Sequence, residues 1–302
     1  MVKISVVIPT HNRADLLPRA IHSVQNQTIG DIEIIVVSDG STDNTEGIVN
    51  DIQAKDGRVR FEQYHPGRGG NYARNEGIRL SKGEYVAFLD DDDEWMPAKL
   101  EKQLFLFNQN ARMVLAYTGV NVIYVNEKTN YSFLPKDQGD LSKKILQGNC
   151  IGSTSTAMVK KSVFEKSGVF DNNLGALQDF DLWIRICQHG EVGVVSEELI
   201  NYYNYRGTKQ VSAITAKYEK AYSYINEKYK DLIKELSDSE NVTRLINEYT
   251  LLGNKAMRNN DKKTARSYYK RVLTISRKPK LIVYYLLGFT NYEFILKLRN
   301  LF

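Results

Sequence analysis

Cysteine is nearly absent: Cys150 and Cys187 are the only two in 302 residues. They have no metal-ligand spacing, so a cysteine-held metal is excluded and a reduced, cytoplasmic compartment is expected. Long apolar runs are missing as well. No stretch reaches the roughly 18 consecutive apolar residues of a membrane-spanning helix. The opening Met1-Val2-Lys3-Ile4 runs straight into a strand pattern. It shows no basic segment, apolar segment and small-residue cleavage site in series, so no secretory leader is expected. What remains is a chain of ordinary globular composition, 42% hydrophobic and 25% charged, long enough for one large domain or two ordinary ones.

The net charge of +5 is unevenly distributed. Residues 215–302 hold 18 basic and 9 acidic side chains, an excess of nine positive charges, which leaves residues 1–214 at −4. The change predicts a boundary near residue 214, between a domain over 1–214 and a basic domain over 215–302. A basic tail suits an acidic surface such as lipid or protein. It carries no recognisable nucleic-acid module, so nucleic acid is not an expected partner.

Along the first part, strand and helix patterns alternate. Residues 3–9 form a short β-branched run and residues 32–37 a second. Val59 and Phe61 mark a third strand, and residues 84–89 a fourth. Between them lie helical spacings over 15–27, a helix with Ser41-Thr42-Asp43-Asn44 at its start, and a glycine-opened helix over 69–80. This alternation predicts an α/β fold with a right-handed parallel sheet. Further on, residues 113–125 and 153–160 read as strands and 161–166 as a short helix. Residues 179–189 read as a longer helix, 126–139 as a loop, and 201–212 as a tyrosine-rich connector. Beyond 215 nearly everything reads as helix.

In parallel sheets ligands gather beyond the carboxyl ends of the strands. Three polar sets fall there: Thr10-His11-Asn12, Ser38-Asp39-Gly40, and the run Asp90-Asp91-Asp92-Asp93. Four adjacent carboxylates repel and raise one another's pKa unless a cation neutralises them. An oxygen-only cluster suits a hard divalent ion, usually beside substrate phosphates. An isolated acidic run is otherwise a solvated turn. The convergence of the three sets in one crevice points instead to a nucleotide-diphosphate site.

These motifs together resemble a family 2 inverting glycosyltransferase of the GT-A fold. The matching pieces are SVVIPTHNR (5–13), SVQNQT (23–28) and EIIVVSDGSTDNT (33–45). Ala73-Arg74-Asn75 with Gly77, KGEYVAFLDDDDEW (82–95) and QDFDLWIRI (178–186) follow. They keep the family's order and spacing over the first two-thirds of the chain. The resemblance implies a nucleotide-diphospho-sugar transferase fold, Rossmann-like, with a mostly parallel sheet, flanking helices and here an all-α carboxyl-terminal extension. It implies a UDP-sugar donor, Mn²⁺ or Mg²⁺ as cofactor, and transfer of a hexose (glucose, galactose or an N-acetylhexosamine). The acceptor would be a glycan, glycoprotein or lipid-linked hydroxyl, in surface polysaccharide synthesis or protein glycosylation. The expected setting is cytoplasmic, with the inner face of a membrane as its expected place of work.

Residue by residue, the resemblance assigns Pro9, Thr10 and His11 to the donor pocket. His11 stands where the family often has a tyrosine that stacks on uracil. Asp39 matches the carboxylate that accepts from the base N–H, although the preceding position, often Asp, is Ser38 here. Arg68, Asn71 and Arg74 lie where a glycine-opened helix and an arginine suit a diphosphate. In the D-x-D register Asp92 takes the metal, Asp90 and Asp91 face ribose and its surroundings, and Asp93 starts the following helix. Asp179 is the expected general base, with Asp181 as the alternative and with Trp183 and Arg185 bracing its helix. A histidine that many relatives carry after a Tyr-Arg pair is missing. Tyr205-Arg206 is followed by Gly207-Thr208-Lys209, and Arg206 or Lys209 is expected to close over the phosphates.

In the tail, Tyr249, Leu252, Gly253, Ala256, Ala265, Tyr269 and Pro279 approach a single tetratricopeptide helix-turn-helix pattern. One repeat cannot bury its own face, so it is expected to pack on the catalytic domain, on flanking helices or on a second copy. Residues 281–302 suit peripheral membrane contact, a homo-oligomer contact or core packing. Two rival classes are a nucleotidyltransferase and a non-catalytic adaptor. The first wants a glycine-rich basic loop after the first strand, which Pro9-Thr10-His11-Asn12 does not supply.

Overall fold

A computed structural model describes residues 2–205, 215–276 and 279–290, together with 292, 294 and 296. The elements run β1 (Ile4–Thr10), α1 (Leu17–Gln25), β2 (Ile32–Asp39), α2 (Thr45–Gln53), β3 (Val59–Tyr64), α3 (Gly70–Leu80), β4 (Tyr85–Phe88) and β5 (Glu94–Trp95). Then come α4 (Lys99–Gln109), β6 (Met113–Tyr124), β7 (Thr129–Phe133), β8 (Met158–Lys160), α5 (Phe164–Ser167), α6 (Gln178–Cys187) and β9 (Glu191–Asn204). The tail is α7 (Thr215–Lys228), α8 (Lys230–Lys234), α9 (Asp238–Arg258), α10 (Lys262–Ile275) and α11 (Pro279–Leu287).

The strands form one sheet in the order β3-β2-β1-β4-β8-β6-β9-β5, with β7 off this path and antiparallel to Val120–Tyr124 of β6. β1 and β2 are buried along their whole length. Strands covered on both faces read as continuous β-branched runs, which is why the sequence announces them. The β3-β2-β1-β4 half is parallel, as expected. The other half is mixed: β8 is antiparallel to β4 and β6, while β6 and β9 are parallel. Glycine lets α3 lie close on β1, because a Cβ on Gly77 would stand 2.2 Å from Val7 Cγ1.

Three local expectations change. Residues 126–139 contain β7, an edge strand whose mostly exposed TNYSF segment carries no apolar alternation. Residues 201–204 are the end of β9, ordered by pairing with β6 rather than by their own pattern. In 153–160 only Met158–Lys160 is strand, preceded by a tight turn over Thr154–Thr156.

Apolar clusters fill both sides of the sheet. One joins Phe88, Tyr117 and Trp183 to Tyr218, Tyr222, Ile225, Tyr229 and Leu252 of the tail, so side chains on either side of residue 214 share a core. The expected helix-turn-helix is α9 and α10. Gly253 lies beneath Tyr269, where a Cβ would stand 2.4 Å from the ring. A reciprocal cap between Ser237 and Glu240 starts α9. On α11, Ile282, Val283 and Leu286 are exposed, as is Phe289 beyond it. No helix among the described residues is long and apolar enough to cross a membrane.

Candidate active site

The carboxyl ends of β1, β2 and β4 meet, as the alternation predicts, and the first turns of α3 and α6 close on them. At the end of β2, the Asp39 carboxylate accepts from the backbone N–H groups of Arg68 (2.6 Å) and Gly69 (2.8 Å). This folds the 66–69 loop over the strand. The chains approach closely there: a Cβ on Gly40, at φ +68°, would stand 2.6 Å from the Gly67 nitrogen. His11 Nδ1 lies 2.6 Å from the Asp39 carbonyl oxygen. The Tyr64 and Tyr72 rings meet edge to face at 5.1 Å. The Arg68 guanidinium lies 4.6 Å from the Tyr72 ring centre and donates to its hydroxyl. His11, Asp39, Arg68, Tyr64 and Tyr72 thus form one aromatic and polar corner. No motif marks either tyrosine in the sequence, although Tyr64 ends β3 and Tyr72 lies in the first turn of α3.

The four aspartates diverge. Asp90 accepts from Arg74 Nη2 at 2.6 Å and from the Thr154 hydroxyl. Asp91 and Asp92 share Arg13, whose Nη1 lies 2.8 Å from Asp91 Oδ1 and 2.7 Å from Asp92 Oδ2. Arg19 donates to the Asp92 carbonyl. Asp93 turns inward and accepts from Ser155 Oγ at 2.6 Å. Asp93 therefore does not start the following helix. It is fully buried beneath the site, and α4 opens later, after Ala98. Burial pushes the Asp91 carboxyl up to about 6 against the pull of Arg13, and burial with neighbouring charge drives Asp93 well above the carboxylate range. Asp90 and Asp92 keep more exposed side chains, 26% and 13% against 8% for Asp91. They are the two less buried positions of a D-x-D pattern. Pro9 and Thr10 are buried in β1, while His11 is exposed beyond its end.

Arg74 links this run to α6. It is buried and lies 5.6 Å from the Phe170 ring centre. Its charge lowers, and that of Asp90 raises, the proton affinity of Asp179. Asp179 is the second residue of α6, and burial pushes its carboxyl up to about 6. Its Oδ1 accepts from the Phe180 N–H at 2.7 Å. The preceding Leu177 has φ +56°, an unusual conformation for a bulky side chain. Backbone strain of this kind persists only where surrounding packing enforces it, and Leu177 is held in the main apolar cluster. Asp181 is differently placed. Arg185, Lys228 and the Tyr229 hydroxyl all donate to it within 2.8 Å, so its oxygens are taken up by structural partners. Arg185 also donates to the Ser167 and Val169 carbonyls, and Trp183 to the Gly152 carbonyl, the bracing expected of them.

Asn71 is occupied elsewhere. Its amide donates to the Asp171 and Leu174 carbonyls, and Asn75 exchanges hydrogen bonds with the Phe170 backbone. Both residues pin the 170–174 loop that leads to Asp179. Arg206 and Lys209 lie outside the described residues. A groove of about 980 Å³ at the amino ends of β1, β2 and β4, lined by Lys3, Lys82, Glu84 and Lys161, contains none of these groups.

Among the described residues no three His, Cys, Asp or Glu side chains converge as a self-sufficient metal cage. Asp92, with Asp90 two residues away, carries carboxylate oxygens of the right kind, one of them held by Arg13. Mg²⁺-like ions at phosphate sites take one or two carboxylates and complete their shell from phosphate and water. The donor set fits an ion of that kind delivered with a diphosphate.

The profile of the family described as "Glycosyl transferase family 2" matches residues 5–168. An uncharacterized glycosyltransferase of Haemophilus influenzae is 30% identical over 269 residues, 88% of each chain. GalNAc(5)-diNAcBac-PP-undecaprenol beta-1,3-glucosyltransferase of Campylobacter jejuni is 33% identical over 62% of this chain, which spans 60% of that protein's length. Among solved structures, Staphylococcus aureus TarS 1–349 in complex with UDP-GlcNAc superposes with a TM-score of 0.60 at 15% identity, covering 91% of both chains. Mannosyltransferase PcManGT from Pyrobaculum calidifontis, in complex with GDP-Man and Mn²⁺, gives 0.62 at 14% identity, covering 99% of this chain and 87% of that one. These structural likenesses establish a GT-A fold.

Proposed function

The chain belongs to glycosyl transferase family 2, and we propose that it is an inverting, metal-dependent enzyme that moves a hexose from a UDP-sugar to a hydroxyl of a glycan acceptor. The observation that carries this reading is the half-buried Asp179 carboxyl at the start of α6, pushed up to about 6 by burial and lying in the field of the ion pair between the buried Arg74 and Asp90. A general base works best when its pKa lies close to the operating pH.

In this reading the base of the nucleotide sits in the corner of His11, Asp39, Arg68, Tyr64 and Tyr72. Asp39 accepts from its N–H, and the rings offer apolar faces. Asp90 faces ribose with the buried Asp91 behind it, and Arg74 holds the diphosphate. The acceptor hydroxyl gives its proton to Asp179 as its oxygen bonds to the anomeric carbon. The bond from that carbon to the diphosphate oxygen breaks on the opposite face, and the electron pair leaves with the nucleotide, inverting the centre. Mn²⁺ or Mg²⁺, held by Asp92 and the diphosphate, would supply charge neutralisation for the departing group. Asn71 serves the site indirectly, by holding the 170–174 loop.

The Campylobacter relative, named for action on an undecaprenol-linked glycan, supports a lipid-linked acceptor. A cytoplasmic enzyme working at the inner face of a membrane follows from that acceptor. The apolar face of α11 in a strongly basic tail suits a lipid surface. The two structural neighbours carry uridine and guanosine nucleotides, so the test spans both. Nucleotide release is measured from a panel of UDP- and GDP-sugars with Mn²⁺ or Mg²⁺, without acceptor. Release from at least one UDP-hexose supports the reading, and release from GDP-sugars alone contradicts the uridine assignment.

A further inference from the structure

The Asp90–Asp93 run is a closed turn. The Asp93 N–H donates to the Asp90 carbonyl at 3.0 Å, and Asp91 and Asp92 are the two central residues. Both ends of the turn are held by one short helical segment, Thr154–Thr156, just before β8. The Ser155 hydroxyl accepts from the Asp90 N–H at 3.1 Å and donates to Asp93 Oδ2 at 2.6 Å. A hydroxyl has one proton to give and lone pairs to receive, so this one group ties the first residue of the turn to the last. The Thr154 hydroxyl lies 3.2 Å from each carboxylate oxygen of Asp90.

The segment is itself anchored. Trp95 Nε1 donates to the Ser155 carbonyl at 3.0 Å. Gln103 Nε2 donates to the Thr156 carbonyl at 3.0 Å and to the Ala116 carbonyl at 2.7 Å. Gln103 Oε1 in turn accepts from Lys99 Nζ at 2.8 Å. Trp95 is in β5, and Lys99 and Gln103 are in α4, so the elements that follow the aspartates return to clamp them. Asp93, Lys99, Gln103, Thr154 and Ser155 are all buried. Polar groups at this depth carry a desolvation cost that apolar side chains of the same volume would avoid. What the network supplies is a turn held in one shape, and the turn presents Asp90 and Asp92, the less buried pair of the run.

We propose that Ser155, with Thr154 beside it, is a positioning residue of the donor site: its hydroxyl holds Asp90 and Asp92 in the arrangement that receives the donor diphosphate and its divalent ion. The inference rests on the acidic run being the donor site of the proposed transfer. Both hydroxyls act through aspartates rather than on the donor itself. Without the Ser155 hydroxyl, the Asp90 N–H and the Asp93 carboxyl lose their shared partner, and the turn takes more than one shape. The ligand must then order the site as it binds, which lowers affinity and leaves the reacting groups unchanged.

Calorimetric titration of the full chain with UDP in Mn²⁺ tests this on wild type, Ser155→Ala, Thr154→Val and Ile4→Val. Thr154→Val keeps the side-chain volume and remains informative if Ser155→Ala folds poorly. Ile4 is buried at the amino end of β1, away from the site, and its variant controls for lost stability alone. The expected result is a loss of UDP affinity of about fivefold or more in Ser155→Ala, a smaller loss in Thr154→Val, and none in Ile4→Val. In UDP release, the half-saturating Mn²⁺ concentration should rise by a similar factor in Ser155→Ala, with turnover at saturating Mn²⁺ within about threefold of wild type. Affinity within about twofold of wild type in both hydroxyl variants, or an equal loss in Ile4→Val, overturns the proposal. So does a fall in turnover at unchanged Mn²⁺ half-saturation, the mark of a merely structural role. A wild type that binds no UDP in Mn²⁺ would instead remove the donor reading itself, and the positioning role with it.

Discussion

Asp179 carries the sharpest consequences at the scale of single residues. Its carboxyl is near 6 in the folded chain against an ordinary 3.8, so the folded state holds the extra proton between those values. Stability contributed by that proton is present below about pH 4 and is lost as pH rises through 6, at most ~3 kcal/mol. Asp179→Asn should therefore melt at a higher temperature than wild type at pH 7.5, and the gap should close near pH 4. The same variant should lose about 10²–10⁴-fold in transfer. The wild-type pH–rate profile should rise with an apparent pKa near 6. A residue that merely began the helix would show neither the stabilisation nor the profile.

Arg13 is the residue the sequence hid. It follows the strand end in an ordinary-looking turn, and only the fold brings its guanidinium to Asp91 and Asp92, 78 and 79 positions away. The aspartates were readable because four like charges in a row have a physical cost that composition shows. Their counter-ion was not, because nothing local demands it. Arg13→Gln should cost about 1–3 kcal/mol by leaving the two carboxylates facing each other. Mn²⁺ should restore part of that in a thermal melt if Asp92 is a ligand.

Among elements, β1, β2, β4 and the helices between them follow from sequence because burial on both faces demands unbroken apolar strands. β7 and the end of β9 do not, since an exposed edge strand and a tyrosine-rich strand are defined by their partner, β6. Asn71 shows the same limit. An amide in the first turn of a glycine-opened helix looks made for phosphate, yet its partners are loop carbonyls 100 residues away. Gly77 tests the close approach of α3 to β1. Alanine there must displace Val7 and should cost about 1–3 kcal/mol, read by denaturant melts. The shift of α3 should weaken nucleotide binding with it.

At the scale of the molecule, the charge boundary near residue 214 does not coincide with a break in packing. Tyr218, Tyr222, Tyr229 and Leu252 belong to the same cluster as Phe180 and Trp183. A chain ending at residue 214 should therefore aggregate or bind an apolar dye, rather than survive as a free catalytic domain. Charge is a surface property and marks the tail, whereas the apolar stripe of α7 determines where the tail docks.

The proposed uridine-diphosphate-hexose transfer driven by Asp179 is tested by release of UDP from UDP-sugars in Mn²⁺, comparing wild type with Asp179→Asn and checking UDP binding by both. Wild-type turnover is expected, with a loss of at least about 100-fold in the variant and UDP affinity unchanged within a few-fold. Equal turnover by the two proteins would contradict the assignment of the base. Failure of wild type to bind UDP in the presence of Mn²⁺ would contradict the donor.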